Sequence, residues 1–310
     1  MKVFGIMEQP ASPNQRVIWN PLLGEQVVQT PGRMNRREGA TECPFCADQE
    51  NGRWPEGQET WIRPNDFPSL TPPSGEAYVL LYTRAHELRF AQMSEEQALS
   101  VVTLWQDVYA DLSARYPCVM SFENSGAAIG QTQAHPHGQT YGVSFLPPTI
   151  DRESRSMFDY YAAHGRCLGC DVLTQELAGA RVVFESARWV GFVPRWARYP
   201  YEVHCYARQH LAHIGQLPRG GDAARELAVL LPRMIRAYDT VVQGEMPYML
   251  VLHQLQDERF HFHIELLPVG RAPGKLKYAA SSESGFGLWL NDAVPEAKAA
   301  ELRDAWNSLR

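Results

Sequence analysis

Four of the six cysteines fall into two Cys-x-x-Cys pairs, Cys43/Cys46 and Cys167/Cys170. In a reducing compartment that spacing suits metal binding or redox work, and six cysteines in 310 residues are too few for a disulfide scaffold. Cys43, Cys46, His86 and His135 together make a Cys2His2 set, the four nitrogen and sulfur donors that tetrahedral zinc takes. Cys167, Cys170, His210 and His261 make a second set. Four protein ligands leave no open coordination position, so a zinc held this way pins chain segments together and is not a Lewis acid at the reaction centre. A different second metal set, Glu153, His253, His261 and His263, competes for His261, so the two sets exclude one another and the choice stays open. An unmetallated or redox-active pair is the alternative for Cys43/Cys46. Cys118 and Cys205 lie in apolar, strand-like surroundings and read as packing residues.

His137 is the candidate nucleophile. In an extended segment, side chains at i and i+2 point to one face, so a metal-bound His135 holds His137 beside it on a rigid strand. Pro136 limits backbone freedom between them, and Gly138 lets another group approach the backbone closely. Covalent attack on phosphorus needs such a fixed imidazole. One ring nitrogen attacks while the other donates to an acceptor that sets the tautomer.

The elements that must position these groups read as two rounds of one plan. After forty polar residues with Pro and Gly punctuation come the CPFC knuckle, a buried strand AYVLLY, and a helix over 94–116 capped by Ser94, with Leu99, Val102, Leu104, Val108 and Leu112 near helical spacing. The strand PCVMSFEN and a glycine-bearing loop lead into AHPHGQTYGVSF. The second half supplies the knuckle HGRCLGCDVL, strands in RVVFESARWVGFVP and EVHCYARQH, the helix ELAVLLPRMIRAYDTVV, and strands YMLVLHQL and FHFHIELLP. Cys43 and Cys46 recur at 167 and 170, and YTRAH ending at His86 recurs as YARQH ending at His210, both shifted by 124. His135-Pro-His137 recurs as His261-Phe-His263, shifted by 126. Three features at nearly one offset indicate a tandem duplication, divided near Pro147–Pro148 into 1–147 and 148–310. The expected fold is α+β, an extended antiparallel sheet with packed helices.

The net charge of −6 gives no global pull on a phosphate backbone or anionic membrane, which argues against nucleic-acid binding. No apolar run approaches the roughly 20 residues a membrane helix needs. The opening MKVFGIMEQPASP, with one lysine and an early proline, makes a poor leader, so the expected location is the cytoplasm.

SFENSGAAIGQTQAHPHGQTYGVSFLP closely resembles the active-site segment of the galactose-1-phosphate uridylyltransferase family, within the histidine-triad superfamily. The family pattern F-E-N-x-G-A followed by H-P-H-G-Q is met by Phe122–Ala127 and by His135–Gln139. The likeness extends to the tandem histidine-triad-like halves, the zinc ligands, RPNDFP at 63–68 and the second His-x-His strand. It implies a ping-pong transfer of UMP from a UDP-hexose to a hexose 1-phosphate, galactose 1-phosphate foremost, through a uridylyl-His137. It also implies phosphate donors at Asn124, Thr132, Gln139, Arg33 and Arg36, and nucleoside contacts at Asn65, Asp66 and Phe67. A homodimer with a shared sugar-binding tail follows from the same resemblance. Hydrolases of the superfamily carry a third histidine where this chain has Gln139, and an amide cannot serve as acid or base near pH 7. Gln139 therefore favours transfer over hydrolysis.

Two departures bear on the substrate. The family's tail reads roughly R-K-F-x-V-G-Y-E; here LKYAASSE keeps Lys277, Tyr278 and Glu283 but has Ala280 and Ser282 for a valine and a tyrosine. CPFC and the second Cys-x-x-Cys look more like the ADP-glucose phosphorylase branch, which carries two zinc sites and moves an adenylyl group to phosphate. These residues do not distinguish uracil from adenine, and a catalytically silent, zinc-stapled nucleotide-binding protein is the reading from another class.

Overall fold

The structure, a computed structural model, describes residues 15–31 and 42–309. Nine strands form one antiparallel sheet. The first half contributes β3 (Trp61–Pro64), β4 (Gly75–Leu81), β5 (Cys118–Ser125) and β6 (His137–Val143). The second contributes β7 (Val182–Glu185), β8 (Trp189–Phe192), β9 (Val203–Ala207), β10 (Tyr248–His253) and β11 (His263–Pro268). A separate hairpin, β1 (Arg16–Asn20) with β2 (Glu25–Gln29), precedes them. The sheet order is β3-β4-β6-β5-β10-β11-β9-β8-β7. Read outward from the centre, β5-β6-β4-β3 and β10-β11-β9-β8 are the same arrangement, met at a β5–β10 seam. The pairing repeats to within one residue, since Leu81 lies opposite His137 and Tyr206, the counterpart of Tyr82, opposite His263.

Equivalent helices, α2 (Glu95–Ser113) and α5 (Asp222–Val242), cover one face of the sheet and pack on each other. Ser94 caps α2 by accepting from the Gln97 amide while Gln97 reaches back to Ser94, a reciprocal cap that fixes where the helix starts. Val102, Leu104, Trp105, Val108 and Leu112 then bury one stripe; Leu99 packs at its margin. All seven residues of β4 and all six of β11 are buried, since both strands are covered on both faces. That explains their near-continuous apolar runs.

The knuckle layer holds α1 (Pro44–Glu50) and α4 (Leu168–Leu177), which start directly after Cys43 and Cys167. Between the halves runs α3 (Pro148–His164), a helix the sequence reading passed over; Pro148 opens it, and Gly165, at φ 68°, closes it in the left-handed conformation. The chain ends in a short hairpin, β12 (Gly270–Ala272) with β13 (Lys275–Leu276), then α6 (Ser281–Phe286) and α7 (Pro295–Ser308). Cys118 and Cys205 are buried, as their surroundings indicated. No helix among the described residues is long and apolar enough to cross a membrane.

Gly138 has a specific partner. A Cβ at this position would lie 2.3 Å from the Tyr82 hydroxyl, which presses on β6 from the helix-covered face. Gly138→Ala should therefore cost about 1–3 kcal/mol through overpacking. Tyr82→Phe in the same chain should recover part of that loss in a denaturant titration.

Candidate active site and metal clusters

The first Cys2His2 set is assembled as its spacing suggests. Cys43 sits at the N-cap of α1 and Cys46 one turn later, facing His86 beyond β4 and His135 before β6. Cys46 Sγ lies 3.3 Å from His86 Nδ1 and 3.6 Å from His135 Nδ1, and Cys43 Sγ is 3.9 Å from His135 Nδ1. Around a tetrahedral zinc, bond lengths of roughly 2.3 Å to sulfur and 2.05 Å to nitrogen put neighbouring S and N about 3.6 Å apart, so the donor set fits such an ion. His135 Nε2 donates to the Thr83 carbonyl at 2.8 Å, leaving Nδ1 as the ligand atom. Burial and then the neighbouring Cys43 push the Cys46 thiol up to about 11. Two adjacent thiols resist double ionisation until a cation joins them.

The second set repeats this geometry. Cys167 sits at the N-cap position of α4, and three sulfur–nitrogen distances, Cys167–His261, Cys170–His210 and Cys170–His261, are each 3.5 Å. His210 Nε2 donates to the Glu258 carbonyl at 2.8 Å. The rival set is corrected by this arrangement. His261 turns Nδ1 to the cysteines, and the group beside Glu153, His253 and His263 is Glu265, not His261. The expected exclusion between the two sets therefore falls away. Glu153 accepts from His253 Nδ1 at 2.8 Å, while His253 Nε2 lies 3.4 Å from Glu265. Burial alone would lower His253, but Glu265 and Glu153 outweigh it and push it up to about 9. Glu202 and His204 extend this acidic group.

His137 is buried, at 9% exposure, and its Nδ1 lies 2.8 Å from the His135 carbonyl oxygen. A carbonyl can only accept, so Nδ1 carries the proton and Nε2 carries the lone pair. His263 makes the same bond to the His261 carbonyl at 2.9 Å. Its Nε2, however, lies 3.9 Å from both Glu153 and Glu265, an acidic setting that repels phosphate. Gln139 shares the His137 face two residues on, and its Oε1 accepts from the Tyr141 hydroxyl at 3.0 Å. Its amide NH2 is thereby the end available as donor.

Phe45, inside the CPFC knuckle, was not among the expected site residues. It packs edge-on against His135 at 5.7 Å and His137 at 5.3 Å between ring centroids. Arg63 reaches over Phe45 at 5.6 Å, tied to buried Asp48 and to Asp66. An aromatic between two ligating cysteines and an arginine inside a strand were the available signals.

The other expected residues are spread around this core. Asn124 lies on β5, paired with Met249 of β10, and Thr132 is half-buried beyond the Gly126–Gly130 turn. Asn65 accepts from the Phe67 amide at 2.9 Å, and Asp66 accepts from Arg63 at 2.8 Å, so both shape the turn after β3. Phe67 is 37% exposed. Lys277 and Glu283 pair with each other at 3.2 Å and, with the exposed Tyr278, line a cavity of about 700 Å³ in the tail whose lining contains none of the His137 neighbourhood. Arg33 and Arg36 lie outside the described residues.

Two halves of one topology, each with a His-x-His strand anchored beside a Cys2His2 cluster, define a nucleotidyltransferase. The model of the galactose-1-phosphate uridyl transferase N-terminal domain matches residues 55–147, and that of its C-terminal domain residues 153–272. The chain belongs to the galactose-1-phosphate uridylyltransferase family. It is 32% identical to the Thermotoga maritima galactose-1-phosphate uridylyltransferase across 92% of this chain and 97% of that one. The Haemophilus influenzae enzyme of the same name is 28% identical over 96% of each. Among solved structures, a uridylyltransferase superposes with a TM-score of 0.87 at 28% identity, covering 95% of this chain and 99% of that one. An Arabidopsis thaliana ADP-glucose phosphorylase with bound ADP-glucose shares the fold, with a TM-score of 0.74 at 20% identity over 94% and 98%.

The cluster geometry predicts two tightly held ions per chain, lost independently. Cys46→Ser and Cys170→Ser should each remove about one equivalent by elemental analysis and lower the melting temperature, because metal affinity is folding free energy.

Proposed function

We propose that the chain moves UMP from a UDP-hexose to a hexose 1-phosphate, galactose 1-phosphate foremost, by a ping-pong route through uridylyl-His137. The observation that carries this reading is the bond from His137 Nδ1 to the His135 carbonyl, which aims a lone pair from Nε2. That lone pair forms a P–N bond to the α-phosphorus as the bond to the bridging oxygen breaks, and hexose 1-phosphate leaves with that oxygen. The imidazole gains positive character, which the His135 carbonyl stabilises through the retained Nδ1 proton. An oxygen of the incoming sugar 1-phosphate then attacks phosphorus and breaks the P–N bond. Both leaving groups depart without being protonated, so a neutral Gln139 suffices where a hydrolase needs an acid or base.

Asn124, Thr132 and the Gln139 amide would donate to the phosphoryl oxygens, with Arg33 and Arg36 supplying charge. Asn65, Asp66 and Phe67 would border the nucleoside, and Lys277, Tyr278 and Glu283 would meet the sugar, in a homodimer that shares its tails. We assign both Cys2His2 clusters to zinc, whose part is to hold the knuckles and His135 in place. Residues 1–147 and 148–310 would be the two units, in a cytoplasmic enzyme. The second Cys2His2 cluster favours one alternative, an adenylyl-transferring, ADP-glucose phosphorylase-type enzyme.

Intact-mass measurement after separate incubation with UDP-glucose and ADP-glucose distinguishes the two. A uridylyl adduct with UDP-glucose alone is expected, and an adenylyl adduct alone would favour the alternative. No adduct with either, in metal-replete protein, would remove the enzyme reading. His137→Gly should abolish the adduct with little change in melting temperature.

A further inference from the structure

The ladder between β5 and β6 stops short of the nucleophile. Its last pair is Phe122 with Gln139; beyond it, β6 continues toward His137 paired with β4 alone, and β5 continues through Glu123 and Asn124 paired with β10 alone. Asn124 and His137 therefore flank a fork between two strands that no longer bond to each other. Something other than the ladder must fix their separation.

That fork is backed, on the helix-covered face, by three buried polar side chains. The Tyr248 hydroxyl donates to Glu123 Oε1 at 2.6 Å from across the seam. The Tyr82 hydroxyl lies against the same carboxyl, fills the space beneath Gly138, and accepts from Trp105 Nε1 of α2 at 3.3 Å. Glu123 Oε2 is buried without a hydrogen-bond partner. Burial pushes this carboxyl up to about 7. A carboxyl so placed is a poor choice for stability, since a matched apolar pair is often neutral or better than a buried polar one.

We propose that Glu123 is a positioning residue: by accepting from Tyr248 across the seam and packing beside Tyr82 beneath Gly138, it holds β5 and β6 at the opening that sets Asn124 and Gln139 about His137. The proposal rests on the reading of His137 as the nucleophile. Position 123 points away from the site face, so its effect passes through strand placement and not through substrate.

The test uses the full, metal-replete chain with Glu123→Gln, Glu123→Met and the double variant Glu123→Met/Tyr248→Phe, which removes both members of the Glu123–Tyr248 hydrogen bond. The double variant should melt at or above the parent temperature with unchanged metal content. Its kcat for transfer from the nucleotide sugar that labels the parent should fall about tenfold or more, with KM nearly unchanged. Glu123→Gln, which can still accept from Tyr248, should recover most of that loss. Amide hydrogen exchange over 122–125 and 137–139 should quicken in the double variant and not in the Gln variant. A kcat within twofold of the parent, a loss that tracks folded fraction, or unchanged exchange would overturn the proposal. The exchange measurement needs no nucleotide. A parent that takes no nucleotide would therefore sink the transfer reading, while the exchange result would still decide this one.

Discussion

One hydrogen bond, from His137 Nδ1 to the carbonyl of His135, organises the site. It requires the backbone at 135 to be immobile, and that residue is fixed twice, by Nε2 on the Thr83 carbonyl and by Nδ1 toward Cys43 and Cys46. Thr83 in turn follows β4, which pairs with β6 through to His137 itself. The candidate metal cluster is thus a staple whose load is carried to the imidazole by one peptide group. It needs no open coordination position to matter for chemistry.

Much of this was legible in the sequence because metal ligands and repeats leave signals that local propensity does not. Cys43, Cys46, His86 and His135 recur at nearly constant offset, and both rounds assemble to the same geometry. The apolar runs of β4 and β11 and the capped start of α2 were readable for ordinary physical reasons, burial on both faces and a reciprocal Ser94–Gln97 cap. The helix α3 was not read, because its composition, PTIDRESRSMFDYYAAH, is mostly polar and buries only Ile150, Ser154 and Met157.

The ligand clusters were legible in the sequence, and the walls around His137 less so. The repeat put His261 with the cysteines but left Glu153 and His253 as a rival partnership, since a histidine two residues from another offers no clue to which way its ring turns. Only the packed knuckle decides it. Phe45 and Arg63 escaped notice for a related reason: an aromatic and an arginine acquire meaning only once α1 and β3 are folded over His137. Gly138 was read correctly as a point of close approach, although the approaching group is a core tyrosine and not a ligand.

The β5–β10 seam carries a consequence for how such a chain can be divided. Tyr248 to Leu252 pair residue for residue with Ser121 to Ser125, so either half in isolation would present a bare, largely apolar strand edge to solvent. A chain severed near residue 147 would yield two sticky fragments, each complete in topology and incomplete in hydrogen bonding. By the same reasoning, a single repeat folded alone would need a twin at that edge, and the covalent link makes the twin permanent. The joined copies differ in what surrounds the shared imidazole, carboxylates of Glu153 and Glu265 about His263 and the amide of Gln139 beside His137.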